Sequence, residues 1–137
     1  CWDDYLYENN YVYKLTKETF SKEVFQLDKC VLVFIYATWN GHSKHFILNN
    51  IYQNVAKHFN SQQNPSILIS AINFNELPSE EIANYFNGNY WMNFRLFKNG
   101  VPNDTVMAFD RTVNNFINFV TESCLKLNAD QLLNDDL

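Results

Sequence analysis

Six consecutive residues concentrate the side chains of this chain that could act on a substrate: Trp39-Asn40-Gly41-His42-Ser43-Lys44. An imidazole and a hydroxyl stand side by side, and a carboxamide lies three positions before the hydroxyl. A serine becomes a nucleophile only when a base takes its proton. His42 adjoins Ser43 in sequence, but neighbours on a helix point in different directions, and no acid is placed to orient the ring. Sulfur at positions 40 and 43 would make the stretch a C-x-x-C pair at a strand-to-helix junction, the arrangement that carries dithiol exchange. As written it holds no thiol, and the residues argue against that chemistry. His42 and His45 are three apart and could share a metal, yet two imidazoles without a third ligand make a poor site. No metal and no other cofactor is expected.

The elements around this stretch follow from periodicity and punctuation. Tyr11-Val12-Tyr13-Lys14-Leu15 alternates and reads as a strand. A helix is expected over 16–25, with Thr16 as N-cap and Phe20, Val24 and Phe25 as its apolar side. Val31 to Tyr36 is a continuous β-branched and aromatic run, the mark of a strand buried on both faces. From Asn40 to Phe59 the residues Phe46, Ile47, Ile51, Val55 and Phe59 recur at helical spacing. Ile67 to Ile72 is a second buried strand, and Ser79-Glu80-Glu81 opens a short helix ending near Gly88. Phe94 to Phe97 is a strand, Lys98-Asn99-Gly100 a hairpin turn, and Thr105 to Ala108 the returning strand. A last helix from Thr112 carries Val113, Phe116, Ile117, Val120, Cys124 and Leu127 on one stripe. The order βαβαβαββα predicts an α/β protein with a central mixed five-stranded sheet and helices on both faces. Residues 1–10 read as an N-terminal extension, 11–127 as one domain, and 128–137 as an acidic tail that frays.

Composition narrows the function classes. The 137 residues suffice for one domain with a sizeable core. A net charge of −5 and scattered Lys and Arg argue against a nucleic-acid partner. No apolar run is long enough to span a bilayer. The chain opens at Cys1 with neither an initiator Met nor a signal peptide, which predicts a mature or excised piece of a longer product. Cys1, Cys30 and Cys124 fit no metal or redox spacing. A Cys30–Cys124 bridge and free thiols both fit this order of elements; free thiols packing as small hydrophobes are the expectation.

The motif resembles the Trp-Cys-Gly-His-Cys-Lys active site of protein disulfide isomerases, with Asn40 and Ser43 where the cysteines stand. Val31 to Lys44, Leu96-Phe97-Lys98-Asn99-Gly100 and Phe109-Asp110-Arg111-Thr112 are similar, in order and spacing, to the thioredoxin superfamily over roughly residues 11–125. The resemblance implies a thioredoxin fold with a degenerate site. It also implies further losses: Phe34 at the place of a proton-relaying Glu, Ala71 at that of its Lys partner, and Met92 at that of a cis-proline. The Trp91–Met92 bond is expected trans, because a cis bond before a non-proline residue costs about 2.5–4 kcal/mol. Asn40 is expected as a helix N-cap. Trp39, His42 and Lys44 keep the family's identities, as does Arg111.

Trp39, His42, Tyr90, Trp91 and Met92 would then form a surface for unfolded or extended polypeptide; ordinary packing over the helix end is the competing reading. The function implied is a redox-inactive, disulfide-isomerase-like domain serving as a chaperone or recruiting module. The alternatives are a structural interaction domain holding a specific protein partner in a larger complex, and a non-catalytic domain of a multidomain disulfide isomerase. The resemblance places the chain in the endoplasmic reticulum lumen or secretory pathway. Asn103-Asp104-Thr105 is a glycosylation sequon, expected on a surface turn. The terminal Asn134-Asp135-Asp136-Leu137 loosely resembles a retrieval signal; the end of an acidic tail is the preferred reading.

Overall fold

The computed structural model describes residues 2–62, 66–86, 91–103 and 110–135, with side chains through Cys124. Among the described residues, eleven helices and strands are ordered α1 (Asp4–Tyr7), β1 (Tyr13–Lys14), α2 (Phe20–Val24), β2 (Cys30–Tyr36), α3 (Gly41–Leu48), α4 (Ile51–Ser61), β3 (Ile67–Asn73), α5 (Glu80–Ala83), β4 (Met92–Lys98), β5 (Val101–Pro102) and α6 (Val113–Asp135). Short 3₁₀ turns at Phe74–Glu76 and Asn84–Phe86 complete the described path. The sheet order is β1-β3-β2-β4-β5. β1 and β2 lie parallel to β3, and β4 is antiparallel to β2 and β5. The mixed five-stranded sheet expected from the sequence is present.

All seven side chains of β2 are buried. Alternate residues feed two clusters, as the pleat requires. Leu32, Phe34 and Tyr36 join Phe46, Ile47, Tyr52, Phe116 and Val120 beneath α3, α4 and α6. Val31, Val33 and Ile35 join Phe20, Val24, Ile82, Phe86 and Phe97 beneath α2 and α5. Helices therefore cover both faces. The buried hydroxyls are satisfied: Tyr52 Oη donates to the Ser70 carbonyl at 2.6 Å and Ser70 Oγ to the Leu32 carbonyl at 2.8 Å.

With three glycines in the chain, left-handed backbone falls mostly to other residues. Asn10, Asp28, Asn50 and Asn99 all have φ between 52° and 63°; their short polar side chains tolerate this region. Asn99 and Gly100 (φ 79°) form the two-residue loop between Lys98 and Val101. Positive φ at both positions is the twist-matched hairpin turn expected for Asn-Gly. A Cβ on Gly100 would also lie 2.9 Å from the Phe25 carbonyl oxygen.

Several expectations need correction. The single helix over 40–59 is two, because Asn50 adopts φ 63° and turns the chain between α3 and α4; Gln53 Nε2 then donates to the Ile47 carbonyl at 2.9 Å across the break. The strand over 11–15 shrinks to Tyr13–Lys14. α2 starts at Phe20 rather than Thr16. There the Thr19 hydroxyl oxygen accepts the Thr16 N–H at 2.9 Å, a local turn that competes with helix. The strand returning from the hairpin is Val101–Pro102; the expected segment Thr105 to Ala108 lies outside the described residues, as does Gly88. α6 continues to Asp135 through the segment set apart as a tail.

Nor is the N-terminal segment a mere appendage. Leu6 is buried in the main cluster. Tyr7 Oη hydrogen-bonds Tyr36 Oη at 2.9 Å, and Tyr36 Oη donates to Asp3 Oδ2 at 3.4 Å. Trp2 packs on Tyr36 with ring centroids 6.5 Å apart.

The free-thiol expectation is overturned. Cys30 and Cys124 form a disulfide, with Cα atoms 5.9 Å apart and a sequence separation of 94. Beside it Lys98, the register partner of Cys30, donates its ammonium to the Ser123 carbonyl. α6 is thus fastened to the start of β2 covalently and to the end of β4 by a charge-assisted hydrogen bond.

Two outcomes follow from this packing. Thiol titration in denaturant without reductant should count one reactive thiol, not three. Cys30→Ala with Cys124→Ala should lower stability by about 2–5 kcal/mol, read as a lower guanidinium midpoint at unchanged m. Independently, burial is the main cause that raises Tyr7, Tyr36 and Tyr52 above the ordinary phenol range. The folded chain keeps protons that the unfolded chain releases near pH 10. The contribution of these three groups to stability is therefore fully present below about pH 10 and is lost as pH rises beyond it. Denaturation midpoints that stay level up to about pH 11 would contradict this.

Candidate functional site

The site lies where β2 ends and α3 begins. Ala37 to Asn40 forms the connecting turn, closed by the Asn40 N–H donating to the Ala37 carbonyl at 3.1 Å. Asn40 has extended backbone (φ −102°, ψ 123°), and its Oδ1 accepts the Ser43 N–H at 3.0 Å. It is the N-cap the sequence suggests. The carboxamide satisfies one of the open N–H groups of the first turn, the same groups that stabilise a thiolate when a cysteine stands there.

Ser43 faces inward and is fully buried. Its hydroxyl donates to the Trp91 carbonyl, which also accepts the Ala37 N–H at 3.2 Å. The two turns are pinned to each other through one carbonyl oxygen. His42 is exposed, on another side of α3, so the pair adjacent in sequence is not a nucleophile and base in space. His45 is likewise exposed. Among the described residues no three His, Cys, Asp or Glu side chains converge as a metal site.

Beneath the turn, the positions tied by resemblance to proton transfer are apolar. Phe34 pairs in register with Ala71 on β3 and Phe94 on β4. Its ring stacks on Phe94 at 4.9 Å and 16°, and meets Phe46 and Tyr52 at 5.3 and 5.2 Å. A carboxylate at this place would be desolvated among aromatic rings. The Trp91–Met92 peptide bond is trans, there being no cis bond among the described residues.

The expected peptide-binding residues separate into three groups. Trp39 is 67% exposed and Trp91 42%, on the two turns that the Trp91 carbonyl joins; with His42 they are open to a partner. Met92 is 6% exposed and belongs to the core cluster, so its side chain packs inward rather than presenting itself at the surface. Tyr90 lies outside the described residues. Asn103, half-buried after β5, donates its N–H to the Leu96 carbonyl at 2.8 Å; the rest of its sequon lies outside the described residues.

Two contacts beside the site are not legible in the sequence. Arg111 sits with its guanidinium carbon 5.4 Å from the Phe94 ring centroid and Nη1 3.9 Å from Met92 Sδ, a cation over an aromatic face. Tyr36, at the end of β2, carries the N-terminal segment by its hydroxyl. Neither contact has a local signature, since each joins residues far apart in the chain.

A family model described as Thioredoxin matches residues 11–122. No curated protein matches the chain. Among solved structures, the first thioredoxin domain of mouse protein disulfide-isomerase A4 is 25% identical, with a TM-score of 0.66 over 83% of this chain and 76% of that one. Human ERp44 in a zinc-bound form is 18% identical, with a TM-score of 0.67 over 81% of this chain. The first two thioredoxin domains of Naumovozyma dairenensis Eps1p are 19% identical, with a TM-score of 0.66 over 83% of this chain. The chain spans 30% of ERp44 and 41% of the Eps1p fragment.

The cap has a measurable weight. Asn40→Ala should cost about 1 kcal/mol, within a range of about 0.5–2, and Asn40→Asp should restore most of it. Urea denaturation of the three proteins checks both values; an unchanged midpoint in the Ala variant would remove Asn40 from the helix start.

Proposed function

From a chain that belongs to the thioredoxin family and carries a cap and a buried hydroxyl where the family resemblance places two cysteines, we propose a redox-inactive, disulfide-isomerase-like domain that binds polypeptide. The observation that carries this reading is the environment of Ser43. Its hydroxyl is buried and already donates to the Trp91 carbonyl, and Asn40 is engaged as the cap of α3. Neither group can form a thiolate or attack a disulfide, and Phe34 and Ala71 supply no proton relay.

What remains at the surface suits recognition. Trp39 and Trp91 offer exposed aromatic area, and such side chains dominate binding hot spots. His42 and Lys44, exposed on the first turn of α3, add polar contacts beside them. The Trp91 carbonyl is engaged within the chain. An unfolded client would therefore be held by its apolar side chains rather than by backbone pairing at this loop, as a chaperone or recruiting module requires.

The setting we propose is the endoplasmic reticulum lumen or secretory pathway. The Cys30–Cys124 bridge supports it, since disulfides persist mainly in oxidising compartments. A second reading, an interaction domain within a larger chain or complex, draws on the match to 30% of the ERp44 chain. Capture of one stoichiometric partner in place of varied clients would favour it.

Two assays test the proposal. Insulin reduction by the isolated chain should not exceed buffer; turnover that survives replacement of Cys1, Cys30 and Cys124 would overturn it. Reduced, carboxymethylated α-lactalbumin should bind, and Trp39→Ala with Trp91→Ala should weaken binding by about tenfold or more. Equal affinity in the double variant would remove the two tryptophans from the client surface.

A further inference from the structure

Charge is unevenly distributed along the chain. Of its 15 Asp and Glu residues none lies between Asp28 and Glu76, while that stretch holds Lys29, Lys44, Lys57 and all three histidines. The stretch includes β2, α3, α4 and β3, and with them the turn that carries Trp39. On α3 the large exposed side chains are His42, Lys44, His45 and Leu48, and none is acidic. A chain with a net charge of −5 thus keeps carboxylates off the helix beside its exposed tryptophans.

Two cations flank the tryptophans from different elements. The Lys44 N–H donates to the Asn40 carbonyl at 3.2 Å, so Lys44 stands one helical turn above Asn40, the residue next to Trp39. Arg111 enters from the segment before α6. Its Nη1 lies 3.9 Å from Met92 Sδ and its guanidinium carbon 5.4 Å from the Phe94 ring centroid, which places it beside the residue that follows Trp91. Both side chains are exposed, and neither has a carboxylate partner among the described residues. The start of α3 adds the partial positive charge of its first turn. Several acids at this end of the sheet are engaged within the chain. Asp3 Oδ2 accepts the Tyr36 hydroxyl at 3.4 Å, and Glu76 Oε2 accepts the Lys17 N–H at 3.1 Å on the β1 side of the sheet; Asp4 also has a partner. Asp110, exposed and adjacent to Arg111 in sequence, is the carboxylate that works against the two cations.

We propose that the Trp39 and Trp91 surface selects unfolded segments that carry Asp or Glu among aromatic and aliphatic residues, and discriminates against basic ones. The inference rests on the reading of this surface as a client site and adds a chemical preference to it. The apolar side chains of such a segment cover the two indoles. Its carboxylates meet Lys44 on the α3 side and Arg111 on the β4 side. The guanidinium of Arg111 is planar and presents donors in a fork that matches a carboxylate. Exposed tryptophans by themselves would hold any apolar segment. Charge of one sign around them supplies the discrimination, because it repels Lys and Arg as well as attracting Asp and Glu. Each exposed ion pair changes affinity by at most about fivefold and is screened by salt. The preference therefore needs both cations and fades at high ionic strength.

The probes are the blocked peptide acetyl-Asp-Leu-Phe-Asp-Leu-Phe-Asp-amide and its counterparts with Asn or Lys in place of every Asp. All three have the same length and apolar content. Each is titrated into the ¹⁵N-labelled full chain, with the Trp39 and Trp91 indole N–H signals as the readout. At low salt the Asp peptide should bind about fivefold or more tighter than the Asn peptide, and the Lys peptide should bind weakest. In about 0.5 M NaCl the Asp and Asn peptides should converge. Lys44→Gln with Arg111→Gln should abolish the order, whereas Lys44→Arg with Arg111→Lys, which keep the charges, should preserve it. Asp110→Asn should tighten the Asp peptide and not the Asn peptide. Equal binding of the Asp and Asn peptides at low salt, or a preference that survives in the Gln double variant, would overturn the proposal and leave the client surface standing. No shift of either indole with any of the three peptides would overturn both.

Discussion

The burial of β2 on both faces and along both edges is the constraint on which the rest of the structure depends. Its seven residues pair in full register with β3 on one side and β4 on the other, so no backbone group is left to water. Its side chains alternate between the two hydrophobic clusters. A polar group placed in it must find a partner inside the protein or pay for desolvation. That condition bears hardest on Phe34, the hub of an aromatic group that includes Tyr36, Phe46, Tyr52 and Phe94. Truncating such a side chain ordinarily costs about 3–5 kcal/mol. In this chain the position contributes packing, and its register partners Ala71 and Phe94 contribute the same.

The turn at the end of β2 inherits that logic. With apolar groups beneath it, the helix start is stabilised by hydrogen bonds made within the chain. Asn40 caps α3, and Ser43 and the Ala37 N–H share the Trp91 carbonyl. The polar groups that a chemical site would keep ready for substrate are mutually satisfied. Exposed aromatic surface is what the turn still offers, and it is held on two segments tied to each other rather than on independent loops.

The opposite end of β2 is fastened differently. Cys30 is joined to Cys124, and Lys98 reaches the neighbouring Ser123 carbonyl. These ties hold α6 against the sheet, where Phe116 and Val120 fill the cluster. At the site end, Tyr36 binds Tyr7 and Asp3 and draws the N-terminal segment onto the core. On the β1 side of the sheet, Tyr13 and Lys14 pair with β3, and the adjoining Val12 is buried in the same cluster as Ile69.

Local signals determined much of this protein. The apolar runs at 31–36 and 67–72 fixed the central strands, since a strand buried on both faces admits no polar alternation. Asn99-Gly100 fixed the hairpin, because both residues accept positive φ. Asn40 announced a helix cap through a hydrogen bond that spans three residues. Tertiary structure decided what depends on distant partners. The disulfide joins residues 94 apart, and spacing alone leaves no periodic trace of such a pair. The break at Asn50 hid inside an unbroken apolar stripe, because α3 and α4 bury their stripes in the same cluster. Met92 looked like part of an exposed group, and only the packing around it turned its side chain inward. The short pairing of β1 with β3 was hidden for the same reason: how far a strand pairs depends on which strand lies beside it, and that is set by the assembled sheet.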